Sequence, residues 1–353
     1  IIMLVKEAYT HTRNYGCRIR KYTCNDIRMV SIENKYLKAA FALDKGADLV
    51  ELLYKPKDID CMWHSFNELQ NSLTQPTVSA KAGNFMDGYA GGWQDLFPTY
   101  GGPADFHGGE IGVHGEACIY PWECDILTDT PECVSLKLFL RLRRSPFTME
   151  KIVTLKENSA KLQINEKITN VGTTEQQFMW GQHPAFGWPF IDEHTRLHIN
   201  GKPTVTVFQS QCVQQCPFEK ETIGIWPLLP DKKGNMIDMS KAYAHEDQLY
   251  MEYAISQLEE GQYELINETS GLGLRMTWDL NRFPYLWVWG MYCGHNDYPW
   301  YGRAYTMAVE PWSSMPANFS VASENSTTLS LQANASMETE ISVELFTNAI
   351  NSK

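Results

Sequence analysis

In the segment Ser135–Arg143, SLKLFLRLR, the leucines at 136, 138, 140 and 142 alternate with Lys137, Phe139, Arg141 and Arg143. A period of two places the leucines on one face of an extended chain, which is the pattern of a half-buried strand and is incompatible with an amphipathic helix. The same logic continues downstream. Phe147–Leu155 is followed by the turn-like Lys156-Glu157-Asn158-Ser159 and by Lys161–Thr169, where Leu162, Ile164 and Ile168 share a face. Two such runs around a short polar turn predict an antiparallel hairpin.

Further short strands are expected at Ile27–Ile32, Leu37–Leu43, Leu49–Tyr54, Gln177–His183, Tyr263–Ile266, Gly273–Trp278, Tyr285–Met291, Tyr305–Glu310, Thr327–Leu331 and Glu338–Phe346. Helical periodicity is scarce, with one short helix expected near Ser65–Leu73. Many short strands without strand–helix alternation predict an all-β fold, a large antiparallel β-sandwich. No linker, low-complexity run or internal repeat divides residues 1–353, so a single domain is expected.

One stretch breaks the alternation. Gly91–Glu123 is rich in glycine, aromatic residues, histidine and carboxylates and poor in aliphatic residues. It offers too little continuous apolar surface for a plain core strand. The reading is a long, folded-back loop of the kind that carries function, forming one wall of a pocket.

Charge and composition narrow the function. A formal net charge of −12 repels phosphate backbones and anionic membrane surfaces, so nucleic acid and membranes are not expected partners. Eleven tryptophans and seventeen tyrosines provide faces that can pack a core or stack on sugar rings. The nine cysteines are odd in number and irregularly spaced, with no Cys-x-x-Cys, and read as reduced thiols of a cytoplasmic protein. The close pair Cys212 and Cys216 reads as packing residues, not as a metal clip. Ile1–Val5 is too short an apolar run for a signal segment or a membrane span.

Three titratable positions stand out. His183, in Trp180-Gly181-Gln182-His183-Pro184, sits at an expected strand end, with Gly181 two residues before it leaving space beside the imidazole. Glu310, before Pro311, shares a strand face with Thr306 and Ala308, small residues that leave room in front of a carboxylate. His114 lies within the glycine-rich stretch, near His107. Taken singly, each histidine reads equally as a locally hydrogen-bonded loop residue, and Glu310 as a solvated strand end.

Taken in order, Phe97-Pro98, His114-Gly115, Trp122, Pro146-Phe147, His183-Pro184 and Glu310-Pro311 resemble the galactose mutarotase (aldose 1-epimerase) superfamily over about Leu37 to Phe346. The resemblance implies a galactose mutarotase-like supersandwich whose concave sheet binds an aldose. It implies that Glu310 takes the proton of the anomeric hydroxyl, that His183 protonates the ring oxygen, and that His114 orients the sugar. It implies no metal or organic cofactor. Gln182, Trp93, Gln94, Glu116, Trp289, His295 and Asp297 are further candidates for sugar contacts, as is His107 in place of His114. Two departures bear on substrate. The arginines that many members carry after Phe-Pro or His-Gly are replaced here by Thr99-Tyr100-Gly101-Gly102 and Glu116-Ala117-Cys118, which counts against a phosphorylated sugar. An aspartate that binds sugar hydroxyls has only Asp279 and Asp297 as candidates.

The expected function is therefore interconversion of the α and β anomers of a hexose or modified hexose, by a monomer or homodimer. The alternatives are a carbohydrate-binding protein of the same fold without chemistry, or a glycoside-processing enzyme. The last normally requires two carboxylates flanking the scissile bond, and only Glu310 stands out.

Overall fold

Alternation in the sequence becomes pairing in the structure. The computed structural model describes residues 13–71, 73–75, 83–208, 215–316 and 318–347. Phe147–Lys156 and Lys161–Asn170 form the expected hairpin, with Leu155 opposite Leu162 and Phe147 opposite Asn170. In Cys133–Arg141 the side chains of Val134, Leu136, Leu138 and Leu140 are buried.

These strands belong to an eight-stranded antiparallel sheet. Its order is Thr195–His198, Gln262–Asn267, Leu272–Trp278, Ser336–Thr347, Lys161–Asn170, Phe147–Lys156, Cys133–Arg141 and Glu123–Asp129. A fourteen-stranded sheet runs from Arg18–Cys24 through Ile27–Glu33, Leu37–Ala42, Asp48–Tyr54, Trp93–Leu96, Gly181–Gly187, Tyr305–Trp312, Tyr285–Tyr292 and Leu249–Ser256 to Thr204–Val207 and three short edge strands, with Ile59–Asp60 pairing Asp48–Tyr54 off this path. One continuous apolar cluster joins the inner faces, from Ile32 and Leu52 of the larger sheet to Leu138, Val153 and Ile164 of the smaller. The architecture is the expected antiparallel β-sandwich.

Three expectations are corrected. The stretch Gly91–Glu123 is not a single loop. It opens with the fully buried strand Trp93–Leu96, continues as the hairpin Ala104–Phe106 and Gly109–Ile111, and returns so that Gly115 bridges Phe97. The polar residues of that strand are tolerated inside because each has an internal partner: Gln94 donates to Asp48 and to the Gly91 carbonyl, and Asp95 pairs with Lys151. Gln177–His183 is not one strand either. Gln176–Phe178 pairs with Leu329–Leu331 in a separate small sheet, and the chain crosses at Met179-Trp180 into Gly181–Gly187 of the large one. Finally, the described residues of Ser65–Leu73 are not helical; short helices occur instead at Gly83–Met86 and at Phe319–Glu324, where Asn318 caps the backbone of Val321.

No helix among the described residues is long and apolar enough to cross a membrane. Cys17, Cys24, Cys61, Cys118, Cys124, Cys133 and Cys293 are free thiols, whereas Cys212 and Ile1–Val5 lie outside the described residues.

Candidate active site

Gly181–Gly187 and Tyr305–Trp312 are neighbouring antiparallel strands. Their register, Gly181 with Trp312 and Ala185 with Ala308, puts His183 across from Glu310. The prolines that follow, Pro184 and Pro311, have no N–H to give a ladder, so cross-strand pairing is weakened at this point. His183 Nε2 lies 3.5 Å from Glu310 Oε1, with both side chains almost entirely buried.

Each member of the pair is held from behind. Trp312 Nε1 donates to Glu310 Oε2 at 3.0 Å. The indole of Trp312 stacks on Trp287, with ring centroids 4.3 Å apart, and lies so close over Gly181 that a Cβ there would meet ring atoms at 2.2 Å. The space beside Gly181 is therefore filled by Trp312, not left open beside His183. On the other side, the Tyr89 hydroxyl is 3.3 Å from His183 Nδ1, and Tyr89 is itself packed by Phe85, Trp63 and Trp300.

Burial sets the proton affinities. Desolvation raises the Glu310 carboxyl well above its usual 4.5, against the opposing hydrogen bond from Trp312. Desolvation also lowers His183 to about 4. Burial therefore favours the uncharged form of both groups, the protonated carboxyl of Glu310 and the neutral imidazole of His183.

His114 forms the adjoining wall. Its φ of 63° turns the chain, and Gly115, at φ 84°, follows so tightly that a Cβ would meet the Phe97 carbonyl at 2.4 Å. The imidazole packs edge-on against Phe85 and lies 5.9 Å, centroid to centroid, from His183. Desolvation drives its pKa well below 6.5, so it is neutral, and its buried Nδ1 has no hydrogen-bond partner.

The strand Leu249–Ser256 contributes a second carboxylate. Glu252 stands opposite Trp289 in the ladder and accepts from the Tyr250 hydroxyl at 2.7 Å and the Tyr100 hydroxyl at 3.1 Å. Desolvation raises it to about 7. His183, Glu310, His114, Glu252, Trp289 and His295 together line a cavity of about 370 Å³, closed by Phe85, Tyr89, Tyr100, Tyr250, Tyr298 and Trp300. Aromatic faces around a few convergent polar groups form the kind of site that takes a small polar ligand.

Seven sequence candidates lie elsewhere. Gln182 points to the opposite face from His183, accepts from Trp93 Nε1 at 2.7 Å, and donates to Asp95 and Glu166 at 3.0 Å each, so Gln182 and Trp93 tie the two sheets together behind the cavity. Gln94 spends its amide hydrogens on Asp48 and Gly91. Glu116 accepts from the backbone N–H groups of Arg143 and Arg144 and from the Ser145 hydroxyl, anchoring the His114 turn. His107 is exposed and packs on Phe106 and Phe319. Asp297 is exposed, its carbonyl accepting from Trp300 and Tyr301, and Asp279 caps the N–H of Asn281. Gln182, Trp93, Gln94 and Glu116 are engaged by internal partners, and none of these residues lines the cavity.

Sequence reasoning missed Glu252, Tyr89 and Tyr100. For Glu252 the signal was present: in LYMEYAIS, Tyr250, Glu252 and Ala254 alternate with Met251, Tyr253 and Ile255, a lone carboxylate on an otherwise apolar strand. Among the described residues no three or more His, Cys, Asp or Glu side chains converge as a metal-holding group.

Concave cavity and paired sheets together define the galactose mutarotase-like class of β-sandwich. A proposed aldose 1-epimerase from Klebsiella pneumoniae superposes with a TM-score of 0.69 at 15% identity, over 94% of this chain and 88% of that one. Galactose mutarotase-like proteins from Clostridium acetobutylicum (TM-score 0.62, 14% identity, 94% and 99% coverage) and Lactobacillus casei (0.59, 19%, 90% and 100%) share the fold. The chain belongs to the family described as Domain of unknown function (DUF4432), whose model matches residues 25–345. No curated protein matches it.

Proposed function

We propose that the protein is an aldose 1-epimerase-type isomerase acting on a hexose or modified hexose. The observation that carries this reading is the 3.5 Å approach of His183 Nε2 to Glu310 Oε1 on the floor of an aromatic cavity. Two groups so close can address two oxygens bonded to one carbon, which is the arrangement of the anomeric hydroxyl and the ring oxygen.

In the proposed reaction the Glu310 carboxylate takes the proton of the anomeric hydroxyl and the C1–O1 bond becomes a carbonyl. The C1–O5 bond breaks with its electron pair moving to O5, which takes a proton from His183 Nε2. Rotation about C1–C2 and the reverse steps give the other anomer. The pair needs one mobile proton in total, and that is the inventory its environment favours. The sugar's own hydroxyls, hydrogen-bonding to the ionised carboxylate, favour the charged arrangement over the neutral one that burial alone favours. His114 and Glu252 are placed to hold the remaining hydroxyls. Each proton-transfer role contributes roughly 100- to 10,000-fold.

The test is NMR exchange spectroscopy on free hexoses: α and β signals exchange faster with the protein, and His183→Ala and Glu310→Gln each remove most of the acceleration. Unchanged rates in both variants overturn the roles. Saturable sugar binding without exchange would select a carbohydrate-binding protein. Glu252, a second carboxylate in the cavity of Glu310, gives the glycoside-processing alternative a specific basis; release of reducing sugar from an aryl glycoside would select it.

A further inference from the structure

The cavity has a one-sided electrostatic character. Among the described residues its acidic side chains are Glu252 and Glu310, and no lysine or arginine lines it. At its rim the Tyr298 hydroxyl donates to another carboxylate, Asp87, at 2.6 Å. Arg303 is placed over Phe66 at 3.6 Å and over Tyr301, outside the lining.

Glu310 has His183 as a partner for its proton. Glu252 has no ion-pair partner among the described residues; its two oxygens each accept one tyrosine hydroxyl, which leaves a further lone pair on each. A carboxylate buried without a cation is expensive, and tyrosine hydroxyls compensate it only in part. Burial raises it to about 7 for this reason. The faces around it are aromatic: Trp289 directly across the ladder, Tyr100, and Tyr250 edge-on to His295 at 5.5 Å. His295 Nδ1 is buried without a hydrogen-bond partner and is a further acceptor in its Nε2–H tautomer.

We infer that the cavity is built for a sugar carrying an ammonium group, an amino-deoxy hexose, with Glu252 as its counter-ion and Trp289 and Tyr100 as its aromatic flank. An ammonium offers three donors and no acceptor, matching a wall of acceptors and π-faces. A neutral hydroxyl satisfies the lone pairs but leaves the buried charge of Glu252 uncompensated, and a sugar acid or phosphate meets two acidic side chains with no cationic clamp among the described residues. The inference deepens the reading of the cavity as a sugar site and rests on it.

The experiment compares calorimetric binding and NMR anomer exchange, at neutral pH and low salt, for glucosamine, galactosamine, their N-acetyl derivatives, the parent hexoses, a hexuronate and a hexose phosphate. The amines are expected to bind about tenfold more tightly than the parent and N-acetyl sugars, the difference between a charge-assisted and a neutral hydrogen bond. Glu252→Gln is expected to bring that ratio to about one. Parent hexoses or anionic sugars binding as tightly as the amines to the unmodified protein overturn the inference, as does a preference that survives in Glu252→Gln; the comparison on the unmodified protein requires no variant to fold. Amine-selective binding without exchange of any sugar would overturn the isomerase reading alone, whereas exchange of neutral hexoses without amine selectivity would overturn this one alone.

Discussion

His183 and Glu310 face each other across adjacent antiparallel strands, Nε2 3.5 Å from Oε1, and each is followed by a proline that leaves a gap in the ladder beside it. They function as a unit if one proton serves both. Removing either then disables the exchange, and removing both adds little. The double variant His183→Ala/Glu310→Gln is expected to retain about the same residual rate as the slower single variant, where independent roles would multiply. Exchange rates of the four proteins under one set of conditions decide it.

Glu252 makes stability depend on pH. Burial disfavours its charge and pushes its carboxyl up to about 7, from an ordinary 4.5. A raised folded value stabilises the fold fully below the unfolded pKa, and that contribution is lost as the pH rises through about 7. The difference corresponds to about 3 kcal/mol. Glu252→Gln removes the titration, so urea midpoints should shift in favour of the variant between pH 5 and pH 8. A difference that stays constant over that range would show that Glu252 does not titrate there.

Gly181 is where the fold constrains the site most tightly. Any Cβ at this position meets the Trp312 ring at 2.2 Å, and Trp312 Nε1 is the donor that holds Glu310. Gly181→Ala should displace the indole, destabilise the protein by about 1–3 kcal/mol through overpacking, and slow anomer exchange by about tenfold or more. Near-ultraviolet circular dichroism of the stacked Trp287 and Trp312 would report the displacement. A variant with an unchanged spectrum and rate would mean that the ring yields without consequence.

What could be read in the sequence follows from the range of the interactions. The hairpin of Phe147–Lys156 and Lys161–Asn170 was legible because alternation and turn are local. His183 and Glu310 could be singled out individually, yet their facing positions depend on a register between strands more than a hundred residues apart. Trp93 and Gln182 lie outside the cavity for the same reason: only the pleat reveals that Gln182 turns away from His183, accepting from Trp93 and donating to Asp95 and Glu166. Glu116 resembled a ligand-facing carboxylate, and its actual partners are the backbone of a distant turn. Tyr89 carries no local mark at all, because its significance lies in a hydroxyl reaching a histidine ninety-four positions away.

In the proposed reaction that contact makes Tyr89 a positioning residue. A histidine's reactive nitrogen is set by the hydrogen bond at the other one. With the Tyr89 hydroxyl at 3.3 Å from Nδ1, an Nδ1–H donating to the tyrosine oxygen leaves Nε2 as the nitrogen whose proton moves, and Nε2 is the atom facing Glu310. Phenylalanine at this position would keep the ring contacts with Phe85, Trp63 and Trp300 and remove only the oxygen. Tyr89→Phe should therefore leave thermal stability within about 1 kcal/mol, lower kcat by about ten- to a hundredfold through loss of orientation, and change KM little. The nitrogen chemical shifts of His183 should move from a single Nδ1–H tautomer towards a mixture, a change that packing alone would not produce. A variant with full kcat and an unaltered tautomer would show that Tyr89 only fills space.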